Sequence, residues 1–195
     1  MKIKDFGVEQ WMNEYETKAK YNLGETCVSS FSIHSLCETA GVNEKEFADK
    51  LVNRRLTYGA IEGSVPLKEQ ITRLYQNLTP AEIVTEHGAI GANNLVLNTV
   101  VEPGDEVIAV TPTYQQLQSI PEAIGATVKL LPLKRENNYL PDADQLRSLI
   151  SPKTKLIVIN NPDNPTGSLM SKEGLMTIIN IAKSVDAYIL CDEVY

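Results

Sequence analysis

Basic charge, histidine, paired cysteine and long apolar runs are all scarce in this chain. Its 18 Lys and Arg are outnumbered by 25 Asp and Glu, for a net charge of -7. The basic residues are scattered and form no patch of the kind a nucleic-acid binder shows, so neither nucleic acid nor an anionic membrane is an expected partner. The 2 histidines, His34 and His87, lie far apart and belong to no cluster with metal-ligand spacing, so no metal site is expected. Cys27, Cys37 and Cys191 are unevenly spaced and contain no CxxC. That usage fits free thiols in a reducing compartment. No apolar run approaches the roughly 20 residues of a membrane span. The opening MKIKDFGVEQW has no apolar core of a signal peptide. A soluble, cytoplasmic protein is the expectation. A GxGxxG fingerprint is also missing, which argues against a dinucleotide site.

What is present is ordinary globular material. The chain has 195 residues, 43% hydrophobic and 22% charged, enough for one domain with a real core. Residues 1–55 read as short helical pieces: VEQWMNEYE, SIHSLCETAG with Gly41 as its stop, and NEKEFADKLVN behind an Asn43 cap. Ser64 is the expected cap of a further helix with Pro66 in its first turn, carrying Leu67, Ile71, Leu74 and Tyr75 as an apolar stripe. Beyond Pro80, strands and helices alternate. EIVTEHG, DEVIAV, TVKLLPL, KLIVIN and AYILCD read as strands, and the segments between them as helices. Several of these strands are continuously apolar. That is the mark of a mostly parallel sheet covered on both faces, a three-layer α/β/α fold.

In such a sheet ligands sit beyond the carboxyl ends of the strands. Four of the five expected strand ends carry distinctive residues: HGAIGAN, TPTYQQ, NNPDNPTG, and the terminal pair Asp192 and Tyr195. The backbone amides of Gly88, Ala89 and Ile90 would cradle a phosphate at a helix start, although a plain glycine turn would look the same. Tyr114 would stack on a flat ring, or be an ordinary half-buried tyrosine. Asn164 sits among two Asn-Pro steps, a density of turn residues seldom needed merely to reverse a chain. Asp192 ends a strand that reads as buried and needs a partner, either a ligand or a neighbouring Arg or Lys. A flat cationic ring bearing a phosphate satisfies all four positions, and pyridoxal 5'-phosphate is such a group.

With those residues in view, the sequence resembles the fold-type I, pyridoxal-phosphate-dependent aminotransferases of class I/II. The stretches YGAIEGSVPLKEQI, HGAIGAN, EPGDEVIAVTPTYQQ, LIVINNPDNPTG and AYILCDEVY occur in family order and spacing. The opening residues look closest to the subgroup that includes capreomycidine-synthase-like enzymes. The resemblance implies that Gly88, Ala89 and Ile90 hold the phosphate, Tyr114 stacks on the ring, Asn164 and Tyr195 bond its 3-oxygen, and Asp192 pairs with its ring nitrogen. It implies that Tyr58 reaches the phosphate of a neighbouring subunit in a homodimer, and that Gly24 lines the substrate carboxylate site. Asp192 and Tyr195 are the implied catalytic residues, acting on an amino acid and a 2-oxo acid. Residues 1–55 would contribute to a small domain and to dimer contacts, and residues 56–195 would be the first part of the large cofactor-binding domain.

The family pattern continues past DEVY to S-x-S-K, whose lysine forms the Schiff base, and to a later arginine for the substrate carboxylate. This chain is therefore expected to represent the N-terminal half of such a protein, without that lysine and inactive alone. A truncated frame, a fragment and a split gene all fit. A lyase or cyclase on the same fold, a cofactor-sensing regulator, and a fragment without function are the competing readings. The Asn164–Pro165 bond is expected to be cis.

Overall fold

The architecture comes from a computed structural model, which describes residues 2–195. Contacts divide the chain into two compact units. One comprises the residues up to Ala19 together with Glu86–Tyr195, and the other is Lys20–Thr85. The division thus falls near residues 19 and 85.

The first unit holds helix α1 (Gly7–Tyr15), α5 (Gly88–Val100), α6 (Gln116–Ile124), α7 (Ala143–Leu149) and α8 (Lys172–Lys183), with strands β1 (Glu106–Thr111), β2 (Thr127–Pro132), β3 (Thr154–Asn160) and β4 (Tyr188–Asp192). The strands form one parallel sheet in the order β2-β1-β3-β4. Alternation along each strand sends neighbouring side chains to opposite faces. Ile108, Val110, Ile157 and Ile159 therefore enter one core, with Leu146 of α7 and Ile178 and Ile181 of α8. Val107, Ala109, Leu156 and Val158 enter the other, with Leu97 of α5 and Leu117 and Ile120 of α6. Both faces being covered explains why the central strands β1 and β3 read as nearly unbroken apolar runs. Each fully buried Leu or Ile contributes about 1.5–3 kcal/mol of burial.

The order also fixes where a site can form. From β1 the chain crosses by α6 to β2 on one side, and from β3 it crosses by α8 to β4 on the other. The two helices lie on opposite faces, so the connections leaving β1 and β3 diverge. A crevice at the carboxyl ends of these adjacent strands is the geometric result.

The second unit holds α2 (Ile33–Ala40), α3 (Glu44–Val52) and α4 (Val65–Thr72). Caps define its first two helices. The Ser32 hydroxyl accepts from Ser35 N, and Gly41 closes α2 in the left-handed region at φ 65. The Asn43 side chain accepts from Glu46 N, as expected. Two expectations here fail. Ser64 occupies the cap position of α4 but its side chain makes no cap hydrogen bond. In the expected stripe, Leu67, Leu74 and Tyr75 are exposed, while Lys68 is buried beside Glu62 at 3.7 Å.

The segment EIVTEHG is not a strand. A 3-10 turn at Pro80–Glu82 leads into extended backbone at Ile83, and no strand among the described residues pairs with it. An extended run becomes a strand only when its backbone groups find a ladder, and the local pattern cannot supply one.

Candidate functional site

Three loops and one helix start meet at the carboxyl edge of the sheet. After β1 the chain passes a cis Thr111–Pro112 bond and delivers Tyr114. The ring of Tyr114 meets Phe6 edge-on, with centroids 4.9 Å apart. Next to it, Gln115 ties down the N-terminal segment: its Nε2 donates to Asp5 O at 2.7 Å and its Oε1 accepts from Gly7 N at 3.3 Å. Burial, then the negative charges of Glu9 and Asp192, raise the Tyr114 phenol above its usual range. It therefore stays protonated and able to donate at neutral pH.

After β3, the turn-rich stretch folds on itself. Asn161–Pro162 and Asn164–Pro165 are both cis, the second as expected. Asp163 does not line the cavity. It is buried, and its Oδ2 accepts from Thr166 Oγ1 at 2.7 Å, with Ser168 Oγ 3.0 Å from the same hydroxyl. Burial raises the Asp163 carboxyl above the ordinary carboxylate range. The side chain of Asn160 accepts from the backbone N–H of Asn164, which fixes where Asn164 stands.

At the end of β4 stands Asp192, which is buried. Its Oδ2 accepts from Asn93 Nδ2 at 2.8 Å and its Oδ1 from Val194 N at 3.2 Å. Its carbonyl oxygen accepts from Asn161 N at 2.8 Å and from Asn160 Nδ2 at 2.9 Å. Among the described residues it makes no ion pair, so the alternative of a structural bridge to Arg or Lys does not hold.

The fourth wall is the start of α5. Gly88 opens the helix at φ 73, a conformation that a side chain strains. His87 precedes it without a side-chain cap hydrogen bond. The first N–H groups of a helix lack intrahelical partners, so this end suits an anion.

A cavity of about 220 Å³ brings together Ala89, Ile90, Tyr114, Asn164, Asp192 and Tyr195, all expected from the sequence. Gly88 does not line it and instead shapes the helix start one residue earlier. Asn93, Asn160 and Val194 line it too and escaped the sequence reading. The missed signal for Asn93 was its place three residues after Ile90 and four before Leu97, a polar residue on the inward stripe of α5. Tyr58 and Gly24 belong to the second compact unit. Tyr58 is fully exposed, and Gly24 N donates to Asn22 Oδ1 at 3.1 Å in a local turn. Cys27, Cys37 and Cys191 are free. Among the described residues, no helix is long and apolar enough to cross a membrane, and no three His, Cys, Asp or Glu gather as metal ligands.

The donor set fits a flat cationic ring bearing a phosphate. A carboxylate without a cationic partner suits a protonated ring nitrogen, an aromatic side chain suits the ring, amide and phenol groups suit its polar substituents, and an uncapped helix start suits the phosphate.

Comparison with known proteins agrees. The model of the family "Aminotransferase class I and II" matches residues 19–195. An aspartate aminotransferase of Pyrococcus horikoshii is 35% identical over 159 residues, covering 78% of this chain and 41% of that protein. Capreomycidine synthase of Streptomyces vinaceus is 29% identical, covering 95% of this chain and 47% of that protein. Among solved structures, a PLP-dependent aminotransferase from Streptococcus suis superposes with a TM-score of 0.97 at 46% identity, covering 100% of this chain and 52% of the other. The chain thus spans about half the length of these relatives. With its three-layer fold, its cavity at the switch point and a family match running from residue 19 to its last residue, the chain belongs to the class I and II aminotransferases, a family of enzymes that use pyridoxal 5'-phosphate.

Proposed function

We propose that the whole protein transfers an amino group between an amino acid and a 2-oxo acid, with pyridoxal 5'-phosphate held in the cavity at the carboxyl ends of β1, β3 and β4. The cofactor would supply an electron sink for the carbanion formed at the substrate's α-carbon. The observation that carries this reading is the buried Asp192, fixed at both carboxylate oxygens by uncharged donors and facing the cavity. Asp192 would keep the ring nitrogen protonated. Asn164 and Tyr195 would bond the ring's 3-oxygen, Tyr114 would cover a ring face, and the amides at Gly88, Ala89 and Ile90 would take the phosphate. Tyr58 would serve a neighbouring subunit's phosphate in a cytoplasmic homodimer, and Gly24 would border the substrate carboxylate. Residues 1–55 would contribute to a small domain and to subunit contacts. A cyclase or lyase outcome on the same cofactor is the second reading. It is favoured by the likeness to capreomycidine synthase along 95% of the chain.

No lysine lines the cavity among the described residues. Residues 1–195 by themselves would therefore bind the cofactor reversibly, without a specific covalent link and without amino transfer. The test titrates the purified chain with pyridoxal phosphate, then reduces with borohydride and maps labelled lysines by mass spectrometry. Saturable binding that Asp192→Ala and Asn164→Ala each weaken about tenfold or more, a loss of about 1.4 kcal/mol, supports the reading. Binding indifferent to both substitutions overturns the site. Stoichiometric labelling of a single lysine with measurable transfer overturns the expectation of inactivity.

A further inference from the structure

The geometry points to Asn93 as the positioning residue that aims the Asp192 carboxylate at the cofactor's ring nitrogen, an inference that rests on the cofactor reading above. Asn93 is buried on the inward face of α5 and lines the same cavity as Asp192, 99 residues away in the chain. An ionised carboxylate only accepts hydrogen bonds, so the amide NH2 of Asn93 must be the end that faces it. That bond, at 2.8 Å, and the one from Val194 N, at 3.2 Å, hold the two oxygens separately. Rotation about the Cβ–Cγ bond is therefore opposed from both sides. Each carboxylate oxygen carries two lone pairs, so one donor apiece leaves acceptor capacity for a ring N–H.

The chemistry of the partner matters as much as its place. A Lys or Arg at position 93 would orient the carboxylate equally well, but would neutralise the charge that the ring nitrogen needs. An amide fixes the direction and adds no charge. It also does not titrate. Tyr114 across the cavity and Cys191 beside it in the chain feel the charge of Asp192, Tyr195 lines the same cavity and Glu193 follows in the chain, and none of the four side chains is a cation. The backbone of Asp192 is anchored independently by Asn160 and Asn161 at its carbonyl. Loss of the Asn93 side chain would therefore free the carboxylate while leaving the strand end in place. Charge-assisted hydrogen bonds of this kind are roughly twice as strong as neutral ones.

The test uses residues 1–195 with pyridoxal phosphate labelled with 15N in its ring. Asn93→Leu removes the donor, Asn93→His keeps a ring N–H near the position of the amide, and Asp192→Asn serves as the reference loss. Three quantities are read: cofactor affinity, the ring 15N shift against pH in the complex, and the thermal midpoint of the free chain. Asn93→Leu is expected to weaken binding about tenfold and to lower the midpoint of ring deprotonation by about one pH unit. Asn93→His should restore both to within about threefold. A midpoint of ring deprotonation that moves in Asp192→Asn but not in Asn93→Leu overturns the inference and leaves the cofactor reading standing. Affinity that falls with thermal stability while the ring midpoint stays put also overturns it, because that is the signature of a merely structural residue. If Asp192→Asn itself moves neither affinity nor ring titration, the cofactor reading falls and this inference with it.

Discussion

The sheet unit and the Lys20–Thr85 unit treat their apolar residues in opposite ways. In the sheet unit Val107, Ile108, Ala109, Ile157 and Val158 are fully buried between two helical layers. In the other unit Leu23, Val28, Leu56, Tyr58 and Ile61 are almost wholly exposed, and Cys37 and Lys68 are buried alongside Ile83. The first unit is organised by burial and the second largely by local devices: the Ser32 capping box, the Asn43 cap and the left-handed Gly41. Caps contribute about 1 kcal/mol each, and isolated helices this short are marginal in water. Stability within this chain is therefore expected to be uneven, with the cavity-facing strand ends drawn from its firmer part.

Thiol chemistry should separate the two units most widely. Burial, then the neighbouring charge and hydrogen bond of Glu193, push the Cys191 thiol up to about 12. At pH 8 its reactive thiolate is about one part in ten thousand. Cys27 is exposed. Timed iodoacetamide labelling followed by mass spectrometry should modify Cys27 long before Cys191, with the gap closing in denaturant. Equal rates in the folded chain would end the contrast.

Core truncation comes next. Ile157→Ala is expected to cost about 2–5 kcal/mol, because it opens a cavity between well-packed layers. Ile61→Ala should cost no more than about 0.5 kcal/mol. Denaturant midpoints followed by circular dichroism measure both. A large effect at Ile61 would mean that its surface is covered in solution.

Acid should act on the sheet unit through Glu106. This residue begins β1, at the edge remote from the cavity. It accepts from Lys129 Nζ at 2.7 Å and from the Ser151 hydroxyl. Those hydrogen bonds, that of Lys129 first, hold its carboxyl below the ordinary range. A depressed folded-state value means the contribution is complete above the unfolded value, near 4.5, and disappears as pH falls through the folded one. Glu106→Gln should therefore lower the thermal midpoint at pH 7, and the difference from wild type should shrink toward zero as pH drops below about 4. A difference that persists unchanged at pH 3 would show that the loss is one of packing.

The smallest effect belongs to the other unit. His34 Nδ1 lies 2.9 Å from Glu44 Oε2, with both side chains more than half exposed. Exposed pairs contribute about 0–1 kcal/mol. His34→Ala should shift the unfolding midpoint barely above error, and a loss comparable to that of Ile157→Ala would overturn the picture of a locally organised unit.

Much of this was legible in particular residues. The runs DEVIAV and KLIVIN identified buried parallel strands, because a sheet covered on both faces leaves no polar alternation, and AYILCD marked a parallel strand that lies half-buried at the sheet edge. Asn43 and Gly41 marked helix ends, because caps are local chemistry. Tyr114, Asn164, Asp192 and Tyr195 stood out because each followed a strand and was costly or unusual where it stood. EIVTEHG misled because a strand needs a neighbour, and nothing within seven residues reveals one. The stripe proposed for the Val65–Thr72 helix misled because helical spacing says which residues share a face, and not which face is buried.

The sequence by itself determined the alternation of helices and strands from Gly88 onward, the covered sheet and the strand ends that would carry Tyr114, Asn164 and Asp192, since these follow from periodicity, capping and the placement of turn residues. Only the tertiary structure decided that Asn93 meets Asp192 and that Asn160 and Asn161 anchor the same strand end. Those contacts join positions 99, 32 and 31 residues apart. Their direction depends on how α5 and β3 lie against β4, and that is set by packing between layers, which no local pattern encodes.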